Sequence, residues 1–169
     1  ILIRALASIN DYEFELLIVG DGPLKKSLYI DSNNLLPKKV RWLGQIPMID
    51  AHKKIAKADC LVLPSRYDGW GAVVSEALMS GTPAICSNAC GAAEVVISSC
   101  KGGVFEAGNI NDLTLKLENI LKNGPMENKE RIKLASWAKC LGGNSGASYL
   151  LDILSWEDKK RYKPKPPWL

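Results

Sequence analysis

The sequence predicts an α/β protein built on a doubly wound parallel sheet with helices on both faces. Three features carry that expectation. Short runs such as Leu16-Leu17-Ile18-Val19 and Leu61-Val62-Leu63 are continuously apolar, the pattern of strands covered on both sides. Helical patterns alternate with these runs, and the connections between them are short. Glycine-bearing loops at 20–23, 65–71 and 88–91 follow predicted strands, where ligands of such sheets sit.

In chain order, Ile1-Leu2-Ile3-Arg4-Ala5-Leu6-Ala7-Ser8-Ile9 reads as a helix already under way, and truncation is the expected reason. Strands are predicted at 14–19, 40–43, 60–64, 84–87 and 103–105. Helices are predicted between them near 24–32, 50–58, 73–80 and 92–97. Beyond Phe105, Leu113, Leu117, Ile120 and Leu121 mark an amphipathic helix that Gly124-Pro125 ends, and two more follow at 126–140 and 147–155. The predicted domain is 1–155, followed by an extended basic, proline-rich tail over 156–169.

A chain of 169 residues, 47% hydrophobic and 24% charged, suits one compact domain with its own core and is too apolar for disorder. The net charge of +4 is mild. The cluster Lys159, Lys160, Arg161, Lys163 and Lys165 has the composition of a nucleic-acid or anionic-membrane patch, but equally that of a solvated tail, which is the reading adopted. No apolar run reaches membrane-span length and no cleavable leader is evident. Cys60, Cys86, Cys90, Cys100 and Cys140 form no disulfide framework, and the single histidine, His52, lies far from them in sequence. The expectation is no metal site and a reducing, cytoplasmic setting, with Cys60 and Cys86 as buried thiols.

The informative stretch is 64–83, which runs Pro-Ser-Arg-Tyr-Asp-Gly-Trp-Gly-Ala-Val-Val-Ser-Glu-Ala-Leu-Met-Ser-Gly-Thr-Pro. Asp68 falls in the loop and Glu76 one turn into the next helix, with seven residues between them. The first amides of that helix, near Ala72 to Val74, lack intrahelical acceptors and carry the positive end of its dipole, so they suit a diphosphate. A carboxylate beside a diphosphate is repulsive unless other donors satisfy it. Sugar hydroxyls are such donors, at roughly 1.5–3 kcal/mol per charge-assisted bond. Two acids flanking a phosphate site therefore point to a nucleotide-sugar.

This stretch resembles the C-terminal, Rossmann-like domain of the GT-B glycosyltransferases of family 4, with their Glu-x7-Glu motif followed by a Gly-Thr-Pro turn. Leu-Leu-Ile-Val-Gly-Asp-Gly-Pro at 16–23, the segment 40–44, Ala58-Asp59 and Gly-Ala-Ala-Glu-Val-Val at 91–96 agree in order and spacing. The resemblance covers about residues 1–121 and leans toward bacterial members that make surface polysaccharides. It implies that Glu76 accepts ribose hydroxyls and that Asp68, with Gly69 and Trp70, holds the donor hexose. It further implies that Gly71, Ala72, Val73 and Val74 contact the diphosphate, while Gly44, Gln45, Ile46 and Gly20 border the base. Asp68 departs from the family's Glu, which shortens its reach by about 1.5 Å.

The resemblance also implies a retaining, metal-independent transfer from a UDP- or GDP-linked sugar, with no cofactor and no nucleic-acid partner. The diphosphate-binding Arg and Lys, and the acceptor site, are expected before Ile1, in an N-terminal domain. The chain alone is then expected to transfer no sugar, and the full-length enzyme to work in the cytoplasm or at the inner face of the membrane. Trp137, Tyr149, Leu150, Leu151, Ile153 and Trp156 are candidates for packing on that domain, or on their own sheet. A noncatalytic nucleotide- or ligand-binding module and a GT-B sugar-nucleotide epimerase stay open as alternatives.

Overall fold

The computed structural model of the chain describes residues 1–156 and 162–169. Lys159, Lys160 and Arg161 of the predicted basic cluster lie outside the described residues. The order is α1 (Leu2–Ala7), β1 (Leu16–Val19), α2 (Lys25–Leu35), β2 (Val40–Gly44), α3 (Met48–Lys57), β3 (Leu61–Leu63), α4 (Ala72–Met79), β4 (Ala84–Ser87), α5 (Ala93–Ser99) and β5 (Gly102–Phe105). Then follow α6 (Ile110–Asn123), α7 (Asn128–Trp137), a short 3₁₀ turn (Ala138–Leu141) and α8 (Gly143–Ser155).

All strand pairs are parallel, as the alternating β and α elements require. β4 is central and buried throughout, and its residues alternate between two apolar clusters. Ala84 and Cys86 face Val74 and Leu78 of α4, Val95 and Val96 of α5, and Leu134 of α7. Ile85 faces the other way, toward Ile3 and Leu6 of α1, Phe105, and Leu113 and Leu117 of α6. Both faces are therefore covered, which is the physical content of a doubly wound sheet.

The sheet is divided, however. β1 pairs only with β2, and β3 pairs with β4, which pairs with β5. Leu16, Val40 and Val62 all join the cluster around Ile85 and Phe105, so both sheets lie under one helical layer without hydrogen-bonding to each other. The cost is visible in burial. β1 and β3 are as apolar as β4, yet none of their residues is fully buried.

Local chemistry sets the helix ends that matter here. Pro47 leads into α3, with Asp50 in its first turn and Lys54 and Lys57 in its last, matching the helix dipole at both ends. The Asn109 side chain accepts a bond from the Asp112 amide to start α6, and Gly124, at φ +69°, ends it. The predicted segment 126–140 divides into α7 and the 3₁₀ turn, while α8 begins earlier than its apolar pattern, at Gly143.

Candidate functional site

Two of the three glycine-bearing loops that follow strands lie side by side. The segment after β3 runs beside the segment after β4: the Asp68 amide donates to the Ala89 carbonyl at 3.1 Å, and the Gly91 amide to the Asp68 carbonyl at 3.1 Å. The Ala92 amide donates to the Trp70 carbonyl at 2.7 Å, and the Cys90 thiol to the same carbonyl at 3.0 Å. Gly91 is required by this approach, because a Cβ there would collide with the Gly69 carbonyl. Gly71 is required twice over. It sits at φ +85°, and a Cβ would strike the Cys90 sulfur and Leu63.

Gly71 is also the residue from which α4 starts. Sequence reasoning left the amides near Ala72 to Val74 free, and that holds only in part. The Val74 amide donates to the Gly71 carbonyl at 2.8 Å in a tight first turn, while Val74 itself is buried. The Ala72 and Val73 amides have no backbone acceptor among the described residues. The amino end of α4 thus presents two amides without backbone acceptors rather than three, with Ala72 exposed and Val73 half-buried.

The predicted acids flank that helix end. Asp68 is half-buried, and its Oδ1 accepts from the Trp70 amide at 3.1 Å, which folds the loop back on itself. Its Oδ2 has no partner among the described residues. The Trp70 indole donates to Ser75 Oγ at 3.2 Å, so its ring is held against α4 rather than in the core, and it stays 40% exposed. Glu76 is half-exposed on α4 with its Oε2 3.2 Å from His52 Nε2.

Among the residues expected to border the base, Gly20 and Gly44 close the ends of β1 and β2, where the Gly20 amide donates to the Gly44 carbonyl at 2.8 Å. Both have positive φ, +119° and +65°. Gln45 is exposed, and Ile46 joins Pro47, Asp50 and Lys53 around an open groove at the start of α3. No hydrogen bond among the described residues links these positions directly to the Asp68–Gly71 loop. The bridge is α3, through His52 and Glu76.

Two residues that sequence reasoning did not place in the site emerge here. One is His52, which only the packing of α3 on α4 brings to Glu76. The other is Arg131, on α7. Its guanidinium donates to the Ala58 and Ala56 carbonyls and to Thr82 Oγ1 at 2.8 Å, while Thr82 donates to the Ile55 carbonyl at 2.8 Å. The Gly-Thr-Pro turn is therefore a clamp on the carboxyl end of α3, with Thr82 fully buried.

Two of the thiols are raised by burial. Burial, then the neighbouring Cys90, pushes the Cys86 thiol up to about 12. Burial likewise raises Cys60 to about 12, although that residue is only half-buried overall. No helix among the described residues is long and apolar enough to cross a membrane.

Known proteins share this fold. The lipopolysaccharide outer core galactosyltransferase WaaB superposes over 84% of this chain and 40% of its own, with a TM-score of 0.73 at 23% identity. HepE of Anabaena, solved in complex with UDP-glucose, superposes over 83% of this chain and 38% of its own, with a TM-score of 0.67 at 25% identity. An uncharacterised glycosyltransferase of Methanocaldococcus jannaschii is 33% identical over 144 residues, which are 80% of this chain and 40% of that protein. The chain thus spans well under half the length of these relatives. The fold is that of a GT-B Rossmann-like domain. The family described as "Glycosyl transferases group 1" matches residues 1–136, from α1 through the Arg131 clamp, and the chain belongs to that family.

Proposed function

We propose that this chain is the donor-binding half of a retaining glycosyltransferase of family 4, which transfers a hexose from a nucleotide-sugar in polysaccharide or glycoconjugate synthesis. The observation that carries the reading is the start of α4. Two amides without acceptors lie at its positive end, with Asp68 on the loop before it and Glu76 one turn in. A diphosphate placed on Ala72 and Val73 leaves Asp68 Oδ2 free for sugar hydroxyls on one side. Glu76 faces the ribose on the other, and the base lies along Gly20, Gly44, Gln45 and Ile46.

Neither acid serves as a nucleophile in this scheme. The departing nucleoside diphosphate carries the charge that grows in the transition state, and donors aimed at it supply the catalysis. The α4 amides are the part of that donor set that this chain holds. The cations and the acceptor site belong to an N-terminal domain, and the exposed Leu150, Leu151, Ile153 and Leu154 of α8 are the surface for packing on it. The chain alone binds donor weakly and transfers no sugar, and the reaction needs no metal or cofactor.

Calorimetric titration with UDP-, GDP- and ADP-sugars tests the reading. The wild-type chain is expected to bind one nucleotide class, and Glu76→Ala to weaken that binding at least roughly tenfold, the equivalent of one charge-assisted hydrogen bond. Binding of none of them would favour a noncatalytic module, and robust sugar transfer by the isolated chain would remove the division of labour proposed here.

A further inference from the structure

A ribose-binding carboxylate gains from being held in place, and His52 stands beside Glu76. An ionised carboxylate has two acceptor oxygens and can turn either toward a ligand. Here Oε2 lies 3.2 Å from the Nε2 of His52, the only histidine in the chain. The two atoms are at ion-pair distance without the alignment of a hydrogen bond, and Nε2 is shielded from solvent with no other partner. An unpaired polar atom out of water is costly, so a small turn of either side chain that lets Nε2 donate to Oε2 is favoured. Oε1 has no partner among the described residues.

The helix that carries the imidazole is anchored. The Ile55 carbonyl accepts from Thr82, and the Ala58 carbonyl from Arg131 at 2.9 Å, so the carboxyl end of α3 is tied to the turn after α4 and to α7. α3 also begins at the Ile46-Pro47 border of the base-side groove. His52 therefore sits on a tethered helix that runs from the proposed base side of the site to its proposed ribose carboxylate.

We propose that His52 is a positioning residue for donor recognition: it holds Oε2 of Glu76 so that Oε1 faces the ribose hydroxyls. The inference rests on the reading of Glu76 as the ribose acceptor. His52 acts through Glu76: its Nε2 is shielded from solvent beside that carboxylate, while the rest of the imidazole is partly exposed. A carboxylate already fixed in its binding orientation loses less rotamer freedom on binding.

The test is ribose discrimination. UDP, GDP and ADP, each beside its 2′-deoxy form, are titrated into the wild-type chain, His52→Leu, His52→Gln, Glu76→Ala and the His52→Leu/Glu76→Ala double variant. Wild type is expected to prefer the ribonucleotide of one base, and Glu76→Ala to lose that preference. His52→Leu weakens the ribonucleotide roughly three- to tenfold and leaves the deoxynucleotide nearly unchanged. His52→Gln, whose amide can donate from a similar place, keeps most of the preference, and His52→Leu adds nothing once Glu76 is alanine. Equal weakening of both nucleotides by His52→Leu, or an undiminished preference, overturns the proposal while the Glu76 reading stands. Absence of nucleotide binding, or of ribose preference, in wild type overturns both.

Discussion

Trp168, next to the end of the chain, packs against Trp70 of the loop before α4, with ring centroids 5.5 Å apart and planes tilted by 55°. Its indole also donates to Glu94 Oε2 on α5 at 3.3 Å. The proline-rich end thus returns to the strand-end loops instead of trailing into solvent. A tilted aromatic pair adds about 0.5–1.5 kcal/mol beyond its buried area. Trp168→Ala is expected to lower the melting temperature by roughly 2–6 °C and to alter the near-ultraviolet circular dichroism of Trp70. An unchanged melt and spectrum would mean that the contact is not kept in solution.

The Gly81-Thr82-Pro83 turn is expected to be intolerant of a side chain at its first position. Gly81 has φ +75°, and a Cβ there would meet the Arg131 carbonyl. Left-handed strain and overpacking together put the cost of Gly81→Ala at about 3 kcal/mol. Arg131→Met, which leaves the Ala58 carbonyl and Thr82 Oγ1 short of a donor, should cost about 2 kcal/mol. Lysine at Arg131 should not restore it, since one ammonium cannot span the forked arrangement. Urea denaturation measures all three, and losses under about 0.5 kcal/mol would place the clamp among ordinary surface contacts.

Amide hydrogen exchange should divide the strands. β4 is paired on both sides, so its amides are expected to be the slowest of the strands. β1 and β3 each have one open edge, and the amides directed to it should exchange far faster than those facing β2 or β4. Protection of the outward amides of β1 and β3 equal to that of β4 would show that the two sheets are joined in solution.

Thiol labelling near neutral pH should follow burial and ionisation together. Cys100 is exposed, at the carboxyl end of α5, and should react first. Cys86 and Cys60 are held at about 12, so both stay protonated and lack the nucleophilic thiolate. Their labelling should rise only as the pH climbs toward that value or as the chain unfolds. Rapid modification of Cys86 in the folded chain would contradict its burial.

Much of this architecture was legible in the residues. Each predicted strand is present within a few positions, because an apolar run bounded by turn residues reports burial directly. The loop of Asp68 and the helix of Glu76 fall as their spacing predicts. The division of the sheet was not legible, since an apolar strand such as Leu61-Val62-Leu63 declares that it will be covered but not which strand will lie beside it. The Val74 amide escaped because a tight first turn depends on the left-handed geometry of Gly71. His52 escaped for a larger reason. No local pattern marks a helix residue whose partner is delivered by the packing of another helix. The same is true of Trp168, which a proline-rich context disguises as part of a solvated tail.

The central claim, that the start of α4 is the diphosphate site, is tested most directly by following backbone amide resonances while UDP, GDP or ADP is added. Progressive shifts concentrated at Ala72 and Val73, with smaller ones at Gly44 to Ile46 and at Glu76, are the predicted result. Shifts confined to the exposed lysines of α3 or to α8, with Ala72 and Val73 unmoved, would contradict it.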